Sequence, residues 1–295
     1  MESFDRRDFL RLAGFGGIVF ASGLQGCATR PGGAEDFYFV QLSDIHWGYD
    51  NATVNPDFKG TLPKAIAARN SLAQKPDFVV FTGDLTQTTD NPATRRARLK
   101  EFRDIAARLD VPKTYFFAGE HDAALDRGEA YQELFGETLR YTFDHKGIHF
   151  IVLDNTSDPA PILGAAQLAW LKADLARLSA DQPIIVLTHR PLFALAPQWD
   201  WSTRDGSEAI QLLSGFRNVT VFYGHIHNEH HHMTGNIAHH AAMSTMFPLS
   251  PLGTAEKKTQ LPWNAKLPYK GLGYRSVRAD SGGRHEAKEI PIRPA

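Results

Sequence analysis

Cysteine is nearly absent from this sequence, since Cys27 is the only one among 295 residues. An intramolecular disulfide is therefore excluded, and so is a zinc site built from thiolates. Any bound metal ion must be held by nitrogen and oxygen atoms.

The net charge is only −1, so the charge balance indicates neither a nucleic-acid nor a membrane-surface partner. The length suits one large α/β domain or two small ones, and 42% hydrophobic residues suffice for a full core.

The first 35 residues have the pattern of an export signal rather than of a folded element. Residues 5–11, Asp-Arg-Arg-Asp-Phe-Leu-Arg, resemble the twin-arginine motif. The apolar stretch at 12–24 is too short and too weakly hydrophobic to span a membrane. A frayed amphipathic helix with two incidental arginines is the alternative. We expect a twin-arginine signal peptide over residues 1–27, a Pro/Gly linker over 28–35 and one domain over 36–295.

The end of this leader contains the single cysteine. Leu24-Gln25-Gly26-Cys27 is similar to a bacterial lipoprotein cleavage box, with Cys27 as the acylated first residue. A stray cysteine near a cleavage site is the alternative. We therefore expect the twin-arginine export machinery as a partner. The expected location is the periplasm or, with a lipid anchor at Cys27, the periplasmic face of the membrane.

Five apolar runs in the sequence each lead into carboxylates or imidazoles, and they lie at 37–42, 78–81, 114–117, 184–187 and 219–223. The runs are those of predicted strands, and the carboxyl ends of parallel strands meet at one edge of a sheet, where ligands bind. The polar residues at these ends are Asp44 and His46, then Asp84, then Glu120, His121 and Asp122, then His189, and finally His225 and His227. Five strands that deliver such side chains to one edge predict a large metal site.

The segments between these strands predict helices and further strands. Helices are expected at 63–74, 93–109, 129–135, 164–178 and 207–213, the last with Ser207 as its cap. A hairpin is expected at 141–144 and 148–153, and antiparallel strands at 237–243, 274–279 and 286–290. Asp154 and Asn155 suit a strand-end cap better than ligands. The pattern predicts a layered sandwich with helices outside two sheets.

The number of ligand-type side chains exceeds what one ion needs. Two ions about 3.5–4 Å apart, bridged by a carboxylate and a hydroxide, are the usual device for attack on a phosphoryl group. Such ions lower the pKa of the shared water and take up the charge that develops on the phosphoryl oxygens. The sequence therefore favours a dinuclear centre.

Five short blocks of the sequence resemble the calcineurin-like metallophosphoesterases over residues 37–240. They are Asp44-Ile45-His46, Gly83-Asp84, Gly119-Glu120-His121-Asp122, Thr188-His189 and Gly224-His225-Ile226-His227. The resemblance implies a four-layer α/β sandwich, with two central mixed sheets flanked by helices and a dinuclear site at the strand carboxyl ends. It also implies two ions of iron, manganese or zinc and a small-molecule phosphoester as the substrate.

The resemblance assigns a role to each block. One ion would be held by Asp44, His46 and His227 and the other by His189 and His225, with Asp84 bridging the two. His121 would donate a proton to the leaving group, and Asp122 would orient it.

Glu120 departs from the family pattern, in which an asparagine supplies a neutral amide oxygen to the second ion. A ligating Glu120 would place a third carboxylate at the metals and lower the positive charge of the site. If Glu120 turned away, the second site would lose a ligand. We expect ligation.

Gln87 is a second departure from a family pattern, and it argues against one branch of the family. Purple acid phosphatases have a tyrosine three residues after the bridging aspartate, where this chain has Gln87. The sequence is loosely similar to the bacterial cyclic-nucleotide phosphodiesterases instead.

The main hypothesis is an exported phosphoesterase that hydrolyses a phosphomonoester or phosphodiester through attack of a metal-bridging hydroxide. The alternative is a catalytically silent metal-binding or scaffolding protein with a degraded site at Glu120.

Three further groups of residues have two interpretations each. The histidines at 230–232 and 239–240 are rim and strand residues or an adventitious metal site. The basic run at 95–100 is a solvated helix face or a phosphate-binding patch. The aromatic residues either stack on a nucleobase or belong to the core, and they are Trp47, Phe193, Trp199 and Trp201.

Overall fold

The computed structural model describes residues 20–21, 36–136 and 138–294. The predicted twin-arginine motif, Cys27 and the linker at 28–35 lie outside the described residues. Within the predicted leader, the two-residue strand β1 (Phe20–Ala21) pairs with residues 286–287. In the part of the chain that is described, no helix is long and apolar enough to cross a membrane.

The first sheet has six strands in the order β1-β12-β11-β2-β3-β4. Its parallel part consists of β2 (Phe37–Leu42), β3 (Phe78–Thr82) and β4 (Thr114–Phe117). The antiparallel strands β11 (Gly273–Ala279) and β12 (His285–Pro291) extend it beyond β2. Because β2 and β3 are buried on both faces, their sequences are continuous apolar runs rather than alternating ones.

The second sheet also has six strands, in the order β5-β6-β7-β8-β10-β9. Its strands are β5 (Tyr141–His145), β6 (Ile148–Leu153), β7 (Ile184–Thr188), β8 (Val219–Tyr223), β9 (His230–Thr234) and β10 (Ile237–Ala241). The four central strands are parallel, while β5 and β9 pair antiparallel at the two edges.

Six α-helices connect the strands of the described chain. They are α1 (Thr61–Asn70), α2 (Pro92–Ala106), α3 (Glu120–Ala123), α4 (Glu129–Phe135), α5 (Ala165–Leu175) and α6 (Gly206–Leu213), with a 3₁₀ turn at Pro197–Trp199. Helices α1 and α2 pack on the outer face of the first sheet, and α5 and α6 pack on the second.

The two sheets face each other through an aromatic core. Phe39 meets Phe150 and Phe222 edge to face, with ring centroids 6.0 and 5.7 Å apart, and such geometry adds to the burial of large apolar surfaces. The four layers are thus helices, sheet, sheet and helices. The predicted four-layer sandwich with two mixed sheets is confirmed.

Predicted and observed elements differ at several places. The helices predicted at 93–109 and 164–178 end earlier, at Ala106 and Leu175, and the short helix α3 was not predicted. Helix α1 ends at Asn70 rather than at residue 74, because the Asn70 side chain is held by the loop after α2. Its Nδ2 donates to the Arg108 carbonyl, and its Oδ1 accepts from the Asp110 backbone amide. Ser207 does not cap α6, because the helix begins one residue earlier, at Gly206. Strand β9 was not predicted, since its three consecutive histidines hide the alternation that marks a half-buried strand.

Candidate metal centre

Two groups of potential metal ligands lie side by side at the carboxyl ends of the strands. One group contains Asp44, His46, Asp84 and His227, and the other contains Asp84, Glu120, His189 and His225. In each group, one ligand atom from every residue lies within 4.8 Å of the others. Asp84 belongs to both groups, as a bridging carboxylate must. All seven predicted ligands are therefore brought together, and their division into two sets follows the one that the resemblance implied.

The backbone turns sharply where it delivers these side chains. Five of the seven have positive φ angles, and they are Asp44 (53°), His46 (46°), Asp84 (48°), His225 (65°) and His227 (54°). Such conformations are strained for residues with a side chain, and they concentrate at functional sites. The fold tolerates this strain at the points where strands end and ligand-type side chains must converge.

Glycines make the close approach of these strand ends possible. A Cβ atom on Gly224 would lie 2.0 Å from Ser43 Oγ and 2.8 Å from Asp44 Oδ2. A Cβ atom on Gly119 would lie 2.1 Å from Asp84 Oδ1. Neither position can therefore accept a larger residue without displacing an aspartate of the cluster.

Each histidine of the cluster has one ring nitrogen held by the protein. Nδ1 of His189 lies 2.7 Å from the Thr82 carbonyl, Nδ1 of His227 lies 2.6 Å from the Phe247 carbonyl, and Nε2 of His225 lies 2.8 Å from the Asp200 carbonyl. A carbonyl only accepts, so these outer nitrogens carry the protons, and in the neutral rings the inner nitrogens present lone pairs to the cluster. Gln87 has the same role for His46, with Oε1 3.1 Å from Nδ1.

The inner atoms are arranged for a cation. Nε2 of His46 and Nε2 of His227 lie 3.1 Å apart, so two lone pairs face each other. Glu120 Oε2, His189 Nε2 and His225 Nδ1 are buried, and their close polar neighbours are other ligand atoms of the cluster. Buried polar atoms that converge in this way are rare unless a further group satisfies them together. The donor set is nitrogen and oxygen, which suits iron, manganese or zinc, so the residues fit two metal ions. The ligand assignment itself stays a prediction.

The carboxylates of the cluster remain ionised despite their burial. Burial alone would raise the pKa of Asp84, and Glu120 adds to this, but His189 and His121 hold it below its usual value. The pKa of Glu120 is also lowered, because His225, Arg190 and His189 outweigh the effect of burial. Burial opposes the protonation of His189, but Asp84 and Glu120 raise its pKa well above the usual value. The cluster therefore gathers negative charge that attracts cations.

Glu120 points into the second group rather than away from it. Its Oε2 lies 2.9 Å from His189 Nε2, and its Oε1 lies 2.9 Å from His225 Nδ1. Arg190, the residue after His189, places Nη2 3.7 Å from Glu120 Oε1 and Nη1 2.6 Å from Asp200. This arginine was not identified from the sequence as part of the site. Its position directly after a predicted ligand histidine could have indicated it.

His121 lies beside the cluster, but Asp122 does not orient it, so that prediction is wrong. Both oxygens of Asp122 accept instead from the backbone amides of Leu85, Thr86 and Gly119, where they hold the two loops together. Burial, and after it the charge of Asp84, raises the pKa of Asp122 to about 6.

Thr88 takes the orienting position at His121. The Thr88 amide donates to His121 Nδ1 at 3.2 Å, and the Thr88 hydroxyl lies 2.6 Å from the same atom. An Nδ1 that accepts from an amide carries no proton in the neutral ring. The proton is therefore on Nε2, which lies 3.9 Å from Asp84 Oδ2 and faces the cluster.

The basic run at 95–100 is engaged within the protein. Arg95 pairs with Asp126, Arg96 with Glu129 and Glu133, and Lys100 with Asp104. Arg98 donates to the carbonyls of Gln87 and Thr88, the two residues that contact His46 and His121. The run is thus a helix face with structural contacts, and a phosphate-binding patch is not supported.

The remaining residues with two interpretations lie away from the two ligand groups. The histidines at 230–232 and 239–240 are on β9 and β10, and His231 Nδ1 lies 2.6 Å from His240 Nδ1. Trp199 and Trp201 are buried in a core cluster, and Trp47 donates to Glu101. Phe193 stacks on His232 at 4.0 Å. Asp154 accepts from the amides of residues 156 and 157, as predicted for a strand-end cap.

A cleft of about 230 Å³ opens above the cluster. Cluster residues and His121 form its floor, and the segment after β10 forms one wall with Phe247, Leu249, Lys258 and Gln260. The ions would therefore be reached from this side.

Known proteins match the chain over this region. A family model described as calcineurin-like phosphoesterase matches residues 37–229. A protein of Mycobacterium tuberculosis named as a cAMP/cGMP dual specificity phosphodiesterase is 31% identical over 204 residues, which are 65% of this chain and 62% of the relative. A probable cyclic nucleotide phosphodiesterase of Rhodococcus erythropolis is 29% identical over 208 residues, 64% of each protein. The chain therefore spans less than two thirds of the length of either relative.

Solved structures share the fold. A dimetal phosphatase from Danio rerio superposes with a TM-score of 0.55 at 15% identity, over 88% of this chain and 99% of that one. A purple acid phosphatase from yellow lupin superposes with a TM-score of 0.57 at 17% identity, over 85% of this chain and 51% of that one. At such identities the likeness supports the architecture alone.

Proposed function

Because the chain belongs to the calcineurin-like phosphoesterase family, we propose that it is a metal-dependent hydrolase of phosphomonoesters or phosphodiesters. The observation that carries the proposal is the pair of ligand groups that share Asp84 and open into a cleft beside His121. The relatives named as cyclic nucleotide phosphodiesterases favour small phosphodiesters as the substrate class.

Two metal ions in the cluster would supply a bridging hydroxide as the nucleophile and would neutralise the charge on the phosphoryl oxygens. The chain's own residues prepare this chemistry. The backbone carbonyls of Thr82, Phe247 and Asp200 fix the tautomers of three ligand histidines. Their inner nitrogens are therefore set before substrate arrives, and the reaction requires no rearrangement of these rings.

His121 supplies the proton for the leaving group. Thr88 holds its Nδ1, so the Nε2–H faces the cleft and donates to the departing oxygen. The backbone amide of His121 donates to Asp84 Oδ1 at 3.0 Å, which ties the proton donor to the bridging carboxylate.

A catalytically silent scaffolding protein is the second candidate, and the geometry disfavours it. A degraded site would leave a ligand displaced or replaced by a group that cannot bind metal. Here Glu120 points at His189 and His225, and each of the other six ligand positions is filled.

The test combines metal analysis with a panel of phosphoesters. The wild-type protein should bind about two ions and hydrolyse members of the panel. Asp84→Asn should abolish hydrolysis and reduce bound metal towards one ion or none, whereas Asp280→Asn, at a buried carboxylate between β11 and β12, should change neither. An Asp84→Asn protein with full activity and unchanged metal content would contradict the two-ion mechanism.

Export by the twin-arginine route is a further part of this proposal, supported by the motif at residues 5–11. A double variant with Arg6→Lys and Arg7→Lys should accumulate in the cytoplasm, folded and active. Unchanged export would show that the arginine pair is not recognised. Mass analysis of the exported wild-type protein and of a Cys27→Ala variant then determines whether Cys27 carries lipid.

A further inference from the structure

A segment outside the family match covers one side of the cleft. It follows β10 and comprises residues 248–262, which we call the flap. Its two arms pair through a bridge between Leu249 and Gln260. The Leu261 amide donates to the Pro248 carbonyl at 3.0 Å, and the Ser250 amide donates to the Thr259 carbonyl at 2.8 Å. The flap is therefore a closed loop with its own hydrogen bonds.

The flap is also attached to the body of the protein on two sides. The Tyr49 hydroxyl donates to Gln260 Oε1 at 2.7 Å, and the Trp199 indole donates to the Glu256 carbonyl at 3.3 Å. At the base of the flap, the Phe247 ring lies 4.5 Å from the His227 ring and 4.9 Å from the His46 ring. These contacts hold the flap at a set position beside the cluster.

Lys258 is the flap's charged contribution to the cleft. It lines the cleft together with Glu120, His121 and the cluster histidines. Lys258 is exposed, and within the described chain it forms no ion pair, whereas Lys64 and Lys146, for example, pair with aspartates. Its neighbour Lys257 is also exposed but does not line the cleft.

The depth of each group decides which part of a substrate Lys258 meets. Apart from the partly exposed Glu120, the cluster residues are buried at the floor, where the phosphoryl group under attack must lie. Lys258 is exposed at the wall, so its side chain can reach the portion of the substrate that projects towards solvent. An unpaired cation at that position attracts negative charge on the projecting portion.

We propose that the flap, through Lys258, selects phosphoesters that carry a second anionic group, a carboxylate or a phosphate, on the part not under attack. This inference rests on the proposed function, since it assigns a substrate class to the same cleft. The expected preference is modest, because an exposed ion pair contributes up to about 1 kcal/mol, which corresponds to about fivefold in binding.

The experiment compares two p-nitrophenyl diesters that differ in one group. Each diester has a p-nitrophenyl group on one side and a substituted ethyl group on the other. In the 2-carboxyethyl ester the ethyl group ends in a carboxylate, and in the 2-carbamoylethyl ester it ends in a neutral amide of the same shape. The wild-type metal-loaded protein should prefer the carboxylate by about fivefold in kcat/KM. Lys258→Ala should remove the preference mainly through KM, Lys258→Arg should retain it, and the matched control Lys257→Ala should leave it unchanged.

A binding arm separates this inference from the proposed function. Calorimetry with 2-carboxyethylphosphonate, its carbamoyl counterpart and ethane-1,2-diphosphonate measures recognition without hydrolysis. The two probes with an anionic second end should bind the wild-type protein more tightly than the amide, and the difference should shrink as salt shortens the Debye length from about 10 Å to about 3 Å.

Each outcome has one meaning. Discrimination in binding that depends on Lys258, with no hydrolysis of any ester, would support the inference and contradict the proposed function. Hydrolysis without discrimination, or discrimination that survives Lys258→Ala, would overturn the inference and leave the proposed function in place.

Discussion

The guanidinium of the buried Arg190 and the carboxylate of the partly exposed Glu120 form a pair at the second ligand group, with Nη2 3.7 Å from Oε1. Arg190 is 5% exposed, and its Nη1 also contacts Asp200, whose carbonyl fixes His225. The pair explains how this chain places a glutamate where the family pattern has a neutral asparagine. The positive charge of Arg190, which Asp200 shares, partly offsets the additional negative charge of Glu120.

The pair predicts that substitutions at the two positions are coupled. Arg190→Gln leaves Glu120 without its cation and should lower the free energy of unfolding by about 3 kcal/mol. The same change in a Glu120→Asn background should cost about 1–2 kcal/mol less, because the neutral amide needs no cation. Denaturant unfolding of the metal-free proteins measures the four corners of this cycle. If the changes in the free energy of unfolding caused by the two substitutions simply added, Arg190 would stabilise the protein through Asp200 alone.

Metal binding provides a second measurement on Glu120. Glu120→Asn should retain an ion at the second group, because the amide oxygen replaces the carboxylate. Glu120→Ala offers no oxygen and should reduce the occupancy of that group, with the first group unaffected. Equal metal content in both variants and the wild type would show that Glu120 is not a ligand, and it would revive the hypothesis of a degraded site.

Thr88 should control the proton donor. Thr88→Val keeps the size of the side chain but removes the hydroxyl 2.6 Å from His121 Nδ1, so we expect kcat to fall by about five- to tenfold. Thr88→Ser should retain activity, and His121→Ala should lose about a hundredfold or more. Metal content should stay constant throughout, which distinguishes loss of the proton donor from loss of an ion. Equal kcat values for the valine and serine variants would refute the orienting role.

Gln87 should set the metal affinity of the first group. Its Oε1 accepts from His46 Nδ1, and such outer contacts typically change metal affinity by about 10–100-fold. Gln87→Leu should weaken one ion by about tenfold in a chelator competition, whereas Gln87→Glu, which preserves the acceptor, should not. An unaltered affinity in the leucine variant would show that His46 is oriented by its packing alone.

Acid should destabilise the protein partly through His285, which is buried beside His240. Burial, with Arg275 adding to it, lowers the pKa of His285 to about 4. The unfolded chain binds this proton below about pH 6.5 and the folded protein only below about pH 4. Stability contributed by a neutral His285 is therefore lost as the pH falls from about 6.5 to 4, by up to about 1.4 kcal/mol per pH unit.

The measurement is the pH dependence of unfolding in metal-free protein. His285→Gln should flatten the curve over that range, while His232→Gln, at an exposed position on β9, should leave it parallel to the wild type. Parallel curves for all three proteins would show that His285 contributes no proton linkage. Metal is removed with a chelator beforehand. Otherwise metal would leave during acidification, and the cluster histidines would then bind protons in the same experiment.

Much of the fold followed from local patterns in the sequence. The strands Phe37–Leu42, Thr114–Phe117 and Val219–Tyr223 and the helix Glu129–Phe135 have the predicted bounds. The errors fall where a tertiary contact outweighs the local pattern. Asn70 ends α1 because its side chain bonds to the loop that follows α2, and β9 forms because β10 offers it a partner.

The sequence by itself determined which residues form the candidate metal centre. Each ligand block follows a continuous apolar run, and within each sheet parallel strands bring their carboxyl ends to one edge. The packing of the two sheets then places the ligands that follow β2, β3 and β4 beside those that follow β7 and β8. Only the tertiary structure decided what surrounds those ligands. Thr88 rather than Asp122 orients His121, Arg190 accompanies Glu120, and Lys258 reaches the cleft from a flap far along the chain. These contacts join side chains on separate loops, and the geometry of a loop depends on what it packs against rather than on a period within its own sequence.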